Sequence, residues 1–134
     1  MNGGSTPTFI FKIPRYPYIW LVDGSVHSDN VSECKTTVKA GVCQKTTTIY
    51  ASLADDMVTV NIRIESDCPM VSKNPVPPIV SWEEVGAPFS ESKVYAWATE
   101  NIRHTACPVP CAIVKSVEAA GDLGLKRNVT IDLE

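Results

Sequence analysis

"MVTVNIRIES", residues 57–66, sets Val58, Val60, Ile62 and Ile64 on one side of an extended chain and Thr59, Asn61, Arg63 and Glu65 on the other. Strict apolar–polar alternation is the period of a β-strand with one buried face; wound as a helix, the same residues would scatter their apolar groups around the axis. The preceding run, "KTTTIYASL" (45–53), is rich in Thr, Ile and Tyr, which suit a pleated, half-buried surface. "ADD" (54–56) lies between the two and supplies a reversal. Upstream, "SECKTTVKA" (32–40) reads as another strand ending at Gly41, with "AGVC" (40–43) as the next turn. Short turns between consecutive strands predict an antiparallel meander.

Downstream the period changes. In "SDCPMVSKN" (66–74), Ser66 or Asp67 can cap a short helix and Pro69 fits its first turn. Pro75, Pro77 and Pro78 make "NPVPPIVSW" (74–82) non-helical. "SESKVYAWATENIRH" (90–104) has Ser90 and Lys93 near a helix start and Val94, Trp97, Ala98 and Ile102 on one face, predicted to pack on the sheet. "VPCAIVKSVEAAGDLG" (109–124) opens with Pro110 in a first turn, turns Ile113, Val114 and Val117 inward and stops at Gly121 or Gly124. "NVTIDLE" (128–134) alternates at Val129, Ile131 and Leu133 and can pair as a fourth strand. The predicted fold is α+β: an antiparallel three- to four-stranded sheet with two main helices on one face. Its predicted core holds Val58, Val60, Ile62, Ile64, Trp97, Ile113 and Val117.

The 134 residues divide into an N-terminal arm, 1–30, with Phe9, Phe11, Tyr16, Tyr18 and Trp20 between prolines, and one α+β domain, 31–134. The arm is expected to pack on the body or to join a protein partner or a second copy. Net charge is −3 and the basic residues are scattered, so no stripe exists for tracking phosphates and nucleic acid is not an expected partner. "FIFKIPRYPYIWLV" (9–22) is interrupted by Lys12, Pro14, Arg15 and Pro17, which is unsuited to a membrane span or a signal core. Five cysteines, an odd number, argue against a secreted disulfide framework and for a cytoplasmic chain with reduced thiols. In that setting the sequons at Asn30 and Asn128 carry no glycan.

Four of those cysteines fall at the ends of elements. Cys43 sits in the first turn, Cys68 where the third strand gives way to a helix, and Cys107 and Cys111 at the start of the last helix, with His104 just before. Helix starts carry unpaired N–H groups and partial positive charge, which favours thiolate, so "CP" at 68 and at 107 is read as exposed, activated sulfur. The first strand running one way and the third the same way puts Cys43 and Cys68 at one end of the sheet, which "RHTACPVP" (103–110) can reach. Cys43, Cys68, His104, Cys107 and Cys111 are therefore the candidate metal ligands, for zinc or an iron–sulfur cluster, with His104 or Cys111 completing the set. A competing reading makes the cysteines small apolar fillers, and Cys34, inside a strand, is the expected bystander. Asp55–Asp56 and Glu83–Glu84 read as solvated turn charges.

"AGVC", "IRIESDCPMV" (62–71) and "IRHTACPVPCAIVKSVEAAGDLGLKRNVTIDL" (102–133) together resemble a small family of anaerobic archaea and bacteria to which no function is attached. The resemblance covers about residues 35–134 and implies a site at Cys43, Asp67, Cys68, His104, Cys107, Pro108 and Pro110, together with an anaerobic origin. Cys111 is extra to that pattern and "NPVPP" stands where a helix would continue. A more distant likeness is to small cysteine-bearing domains that scaffold iron–sulfur clusters or attach to ribonucleotide reductases. The expected function is a metal- or iron–sulfur-binding protein; the alternatives are a thiol-redox or Cys–His nucleophile enzyme, with His104 as base for Cys107 or Cys68, and an adaptor subunit.

Overall fold

The computed structural model describes residues 32–134, so the arm at 1–30 and the partner expected of it lie outside the described residues. Strands β1 (Glu33–Lys39), β2 (Thr46–Leu53) and β3 (Thr59–Ser66) form the antiparallel meander. A short β4 (Ile79–Val80) pairs with β3 and completes a four-stranded sheet in the order β1-β2-β3-β4. The helices are α1 (Pro69–Ser72), α2 (Ser81–Val85), α3 (Lys93–Asn101) and α4 (Val109–Ala120), with a 3₁₀ turn at Phe89–Glu91 before α3.

Register follows from the alternation. Thr36 stands opposite Ile49, Ile49 opposite Ile64 and Leu53 opposite Val60, so one row of side chains crosses to the same face on every strand. Against that face lies α4, which packs on β1 and β2 and contributes Ile113 and Val117, both fully buried with Ile49, Val60 and Ile79. Truncating one of these to Ala removes the transfer energy and leaves a cavity, on the order of 2–5 kcal/mol. Helix α3 packs chiefly on α4 and on the 3₁₀ turn rather than on the strands, while α1 follows β3. Its Trp97 is buried, and the indole Nε1 donates to the carbonyl of Asn74 at 3.0 Å, which fixes the proline-rich connection. The opposite face stays polar: the Arg63 guanidinium lies 4.0 Å from the Tyr50 ring centroid and pairs with Glu65 at 2.8 Å.

Several sequence expectations need correction. The fourth strand is Ile79–Val80, not residues 128–134, which leave the sheet and run exposed. Residues 74–78 are non-helical as the prolines require, but Ser81 and Trp82 open α2. Val58 is exposed because Asp56 holds the turn: its carboxylate accepts from the Val58 and Thr59 N–H groups at 3.0 and 2.8 Å, so β3 starts only at Thr59. Those bonds, led by the one from the Thr59 hydroxyl, hold the Asp56 carboxyl below its ordinary value. Glu84 is not a solvated charge. It is buried and accepts from Ser92 Oγ and from the backbone N–H groups of Lys93 at 2.9 Å and Val94 at 3.2 Å, satisfying the start of α3.

Gly121, which caps α4, is where that helix meets α2: a Cβ there would stand 2.6 Å from the Ser81 Cβ and 2.9 Å from the Val117 carbonyl oxygen. Gly86, at the end of α2, would meet nothing nearer than 3.6 Å. Gly121→Ala is expected to lower stability by about 1–3 kcal/mol through overpacking, while Gly86→Ala stays near neutral. Chemical denaturation of both variants checks this, and equal stability of the two would contradict the packing described.

Candidate functional site

The β1–β2 turn and the end of β3 meet at one edge of the sheet, and backbone bonds lock them there. Asp67 N–H donates to the Thr46 carbonyl at 3.0 Å, and the Asp67 carboxylate accepts from the Thr46 N–H at 3.2 Å. One rung further in, the hydroxyls of Thr47 and Ser66 are 2.8 Å apart, and Ser66 Oγ also accepts from the Cys68 N–H at 3.0 Å. The N-cap of α1 is Cys68 and not Ser66 or Asp67 as the sequence suggested, while Pro69 does follow in the first turn. Cys43 lies in the turn, where Gly41 adopts φ 88° and Gln44 φ 57° to reverse the chain.

A third segment arrives from between α3 and α4. The Arg103 N–H contacts Met70 Sδ at 3.4 Å, placing the loop beside α1, and the Cys107 N–H donates to the His104 carbonyl at 2.9 Å. Cys68 and Cys107 are both partly buried against the core, whereas Cys43, His104 and Cys111 are exposed.

Electrostatics link Cys107 to two other sulfurs. The Cys107 thiol is pushed up from its ordinary pKa, first by burial and then by the negative charge that Cys68 and Cys43 would carry, against a lowering by the Val109 N–H. The sequence led to the expectation of an activated thiolate at Cys107; burial outweighs the helix-end donor, and the metal-free thiol keeps its proton. Cys111 acts elsewhere. Its charge is felt by Tyr95, whose phenol is raised mainly by burial, and by Lys115, raised mainly by its bond to Glu118. Cys34 is near the start of β1, 3.5 Å from Thr36 Oγ1, which in turn is 2.6 Å from Ser116 Oγ beneath the sheet.

Cys107 thus lies within electrostatic reach of Cys68 and of Cys43, which come from chain-remote segments, and Cys34 and Cys111 take other neighbours. Among the described residues, no group of three or more His, Cys, Asp and Glu side chains is gathered as a bound metal would hold them. Nor, among those residues, is any helix long and apolar enough to cross a membrane. Asp67 was read from sequence as a helix cap, but its work is to clamp the turn that carries Cys43. Only the β2–β3 register, which brings Thr46 beside Asp67, discloses that role.

What the fold defines is a small α+β domain with an antiparallel four-stranded sheet, and Cys43 and Cys68 follow β1 and β3 toward one end of it. The chain belongs to the family described as "Family of unknown function (DUF6951)", whose model matches residues 34–133. Comparison with curated proteins and with solved structures found no match.

Because burial is the larger cause, removing its neighbours should lower the Cys107 pKa without returning it to the ordinary thiol value. Alkylation rates against pH, read at the Cys107 peptide in the metal-free wild type and in Cys43→Ser/Cys68→Ser, measure this. A curve unchanged by the double substitution would mean that the three sulfurs do not sense one another. A raised folded pKa also means the folded chain binds more protons than the unfolded one above the ordinary thiol pKa. Its contribution to stability is therefore present at neutral pH and is lost as pH rises through the thiol range.

Proposed function

We propose that the protein binds a soft metal ion, zinc or the iron of an iron–sulfur cluster, through Cys43, Cys68 and Cys107 at the end of the sheet, with His104 as the fourth ligand. The observation that supports this reading is that Cys107 feels the charge of Cys68 and Cys43, which come from two other chain segments joined by the clamp between Asp67 and Thr46. Thiolates that repel one another are drawn together by a cation that replaces their protons. Tetrahedral zinc takes this mixture of sulfur and imidazole.

Binding requires the Cys43 turn to close toward Cys68 and Cys107. Gly41 is suited to that change, because a Cβ at its position would have no neighbour within 4 Å, and Val42 and Cys43 are exposed. His104 is favoured over Cys111 because its carbonyl already closes the turn onto Cys107, while Cys111 neighbours Tyr95 and Lys115. With Cys107 as the nucleophile the Cys–His alternative gains less support, since burial raises that thiol's pKa and a protonated thiol is a poor nucleophile. A cytoplasmic, anaerobic setting would keep such thiols reduced and belongs to the same proposal.

Elemental analysis of anaerobically purified protein is the test. Near-stoichiometric zinc or iron is expected, lost in Cys43→Ser and kept in Cys34→Ser. Folded wild-type protein free of metal would refute the reading, and equal loss from both variants would assign the site to other cysteines.

A further inference from the structure

The C-terminal residues 128–134 pose a separate problem. Val129, Ile131 and Leu133 are 59%, 73% and 92% exposed, yet they alternate with Asn128, Thr130, Asp132 and Glu134 in the pattern of a half-buried strand. The segment belongs to no strand and, among the described residues, takes no place in the sheet. Exposing three large apolar residues at period two is costly for a segment that finds no partner, and it is the sequence signature of a strand that has one.

A matching edge is present on the same chain. β1 is the outermost strand, paired on one side with β2, and among the described residues its other side carries no strand. It is seven residues long, whereas the opposite edge, β4, has only two. Its inner row is Cys34, Thr36 and Val38, of which Cys34 and Thr36 remain half-exposed, leaving the apolar layer over α4 short of a strand. Its outer row is Glu33, Lys35, Thr37 and Lys39, and the two lysines are opposite in sign to Asp132 and Glu134 of the tail. Lys126 lines the same depression as Glu33 and Lys35, so the tail leaves the body near the start of β1.

We propose that two copies of this chain associate by reciprocal strand addition, residues 128–134 of each pairing along the free edge of β1 of the other. The pairing satisfies backbone groups of β1 that no strand among the described residues pairs, and covers Val129, Ile131 and Leu133 on the inner face. It also sets Asp132 and Glu134 beside the Lys35–Lys39 row. Donor strand and acceptor edge are on one chain, so a twofold closes the exchange and leaves neither free. This inference does not depend on the metal reading, which concerns the other end of β1.

Light scattering after size exclusion and sedimentation velocity on the full-length chain should give twice the 14.6 kDa of the monomer. Ile131→Asp, a change at an exposed position, should abolish the dimer without altering the circular dichroism of the fold. Lys35→Glu/Lys39→Glu should also give monomer, and adding Asp132→Lys/Glu134→Lys should restore the dimer. Rescue by the reversed charges separates pairing from misfolding even if a single variant folds poorly. A monomeric wild type would overturn the proposal, leaving Lys35 and Lys39 as guards of a free edge. So would a dimer that survives Ile131→Asp, or failure of the reversed charges to rescue.

Discussion

Burial of one sheet face beneath α4 is the constraint on which the rest depends. With Ile49, Val60, Ile113 and Val117 taken out of water together, the alternation along each strand permits one register only, since a slip of one residue would turn every apolar group outward. The register fixes strand direction, and strand direction brings the β1–β2 turn and the β3–α1 junction to the same edge. The clamp between Asp67 and Thr46 then follows from pairing rather than from any motif. Cys43 and Cys68, far apart in sequence, are carried to the same end of the sheet as a consequence of that packing.

The meander was legible because β3 alternates along its length and β2 is rich in Thr, Ile and Tyr, and α4 because Pro110, the inward row and Gly121 mark its start, face and stop. What escaped were elements too short to have a period. β4 has two residues and α2 five, and both exist because β3 offers an edge and Ser81 donates through N–H and hydroxyl to the Val58 carbonyl, at 2.8 and 2.9 Å. Residues 128–134 carry the right period but, among the described residues, pair with no strand, so the pattern was readable and its place was not. Glu84 misled for a similar reason: an acidic pair looks solvated in sequence, and only the approach of α3 makes one of its members a buried acceptor.

At the candidate site, sequence indicated which cysteines end elements but not the balance of forces on them. A cysteine before a proline at a helix start argues for thiolate; the core packed around Cys107 argues against it, and burial is the larger effect. The same physics separates Cys111 from Cys107 although only three residues lie between them. Cys107 stands before the helix, near Cys68 and Cys43, and Cys111 lies within α4 near Tyr95 and Lys115. A thiol whose pKa is raised by burial is a poorer nucleophile at neutral pH, and under the metal proposal its proton is the one a cation would displace.

The central claim is that Cys43, Cys68 and Cys107 act as one set, and residue-by-residue protection from alkylation tests it most directly. Reduced, metal-free protein is labelled with iodoacetamide with and without one equivalent of zinc, and the modified peptides are counted by mass spectrometry. Zinc is expected to protect Cys43, Cys68 and Cys107 together while Cys34 and Cys111 react as before. Protection spread evenly over all the cysteines, or confined to a pair that includes Cys34 or Cys111, would contradict it.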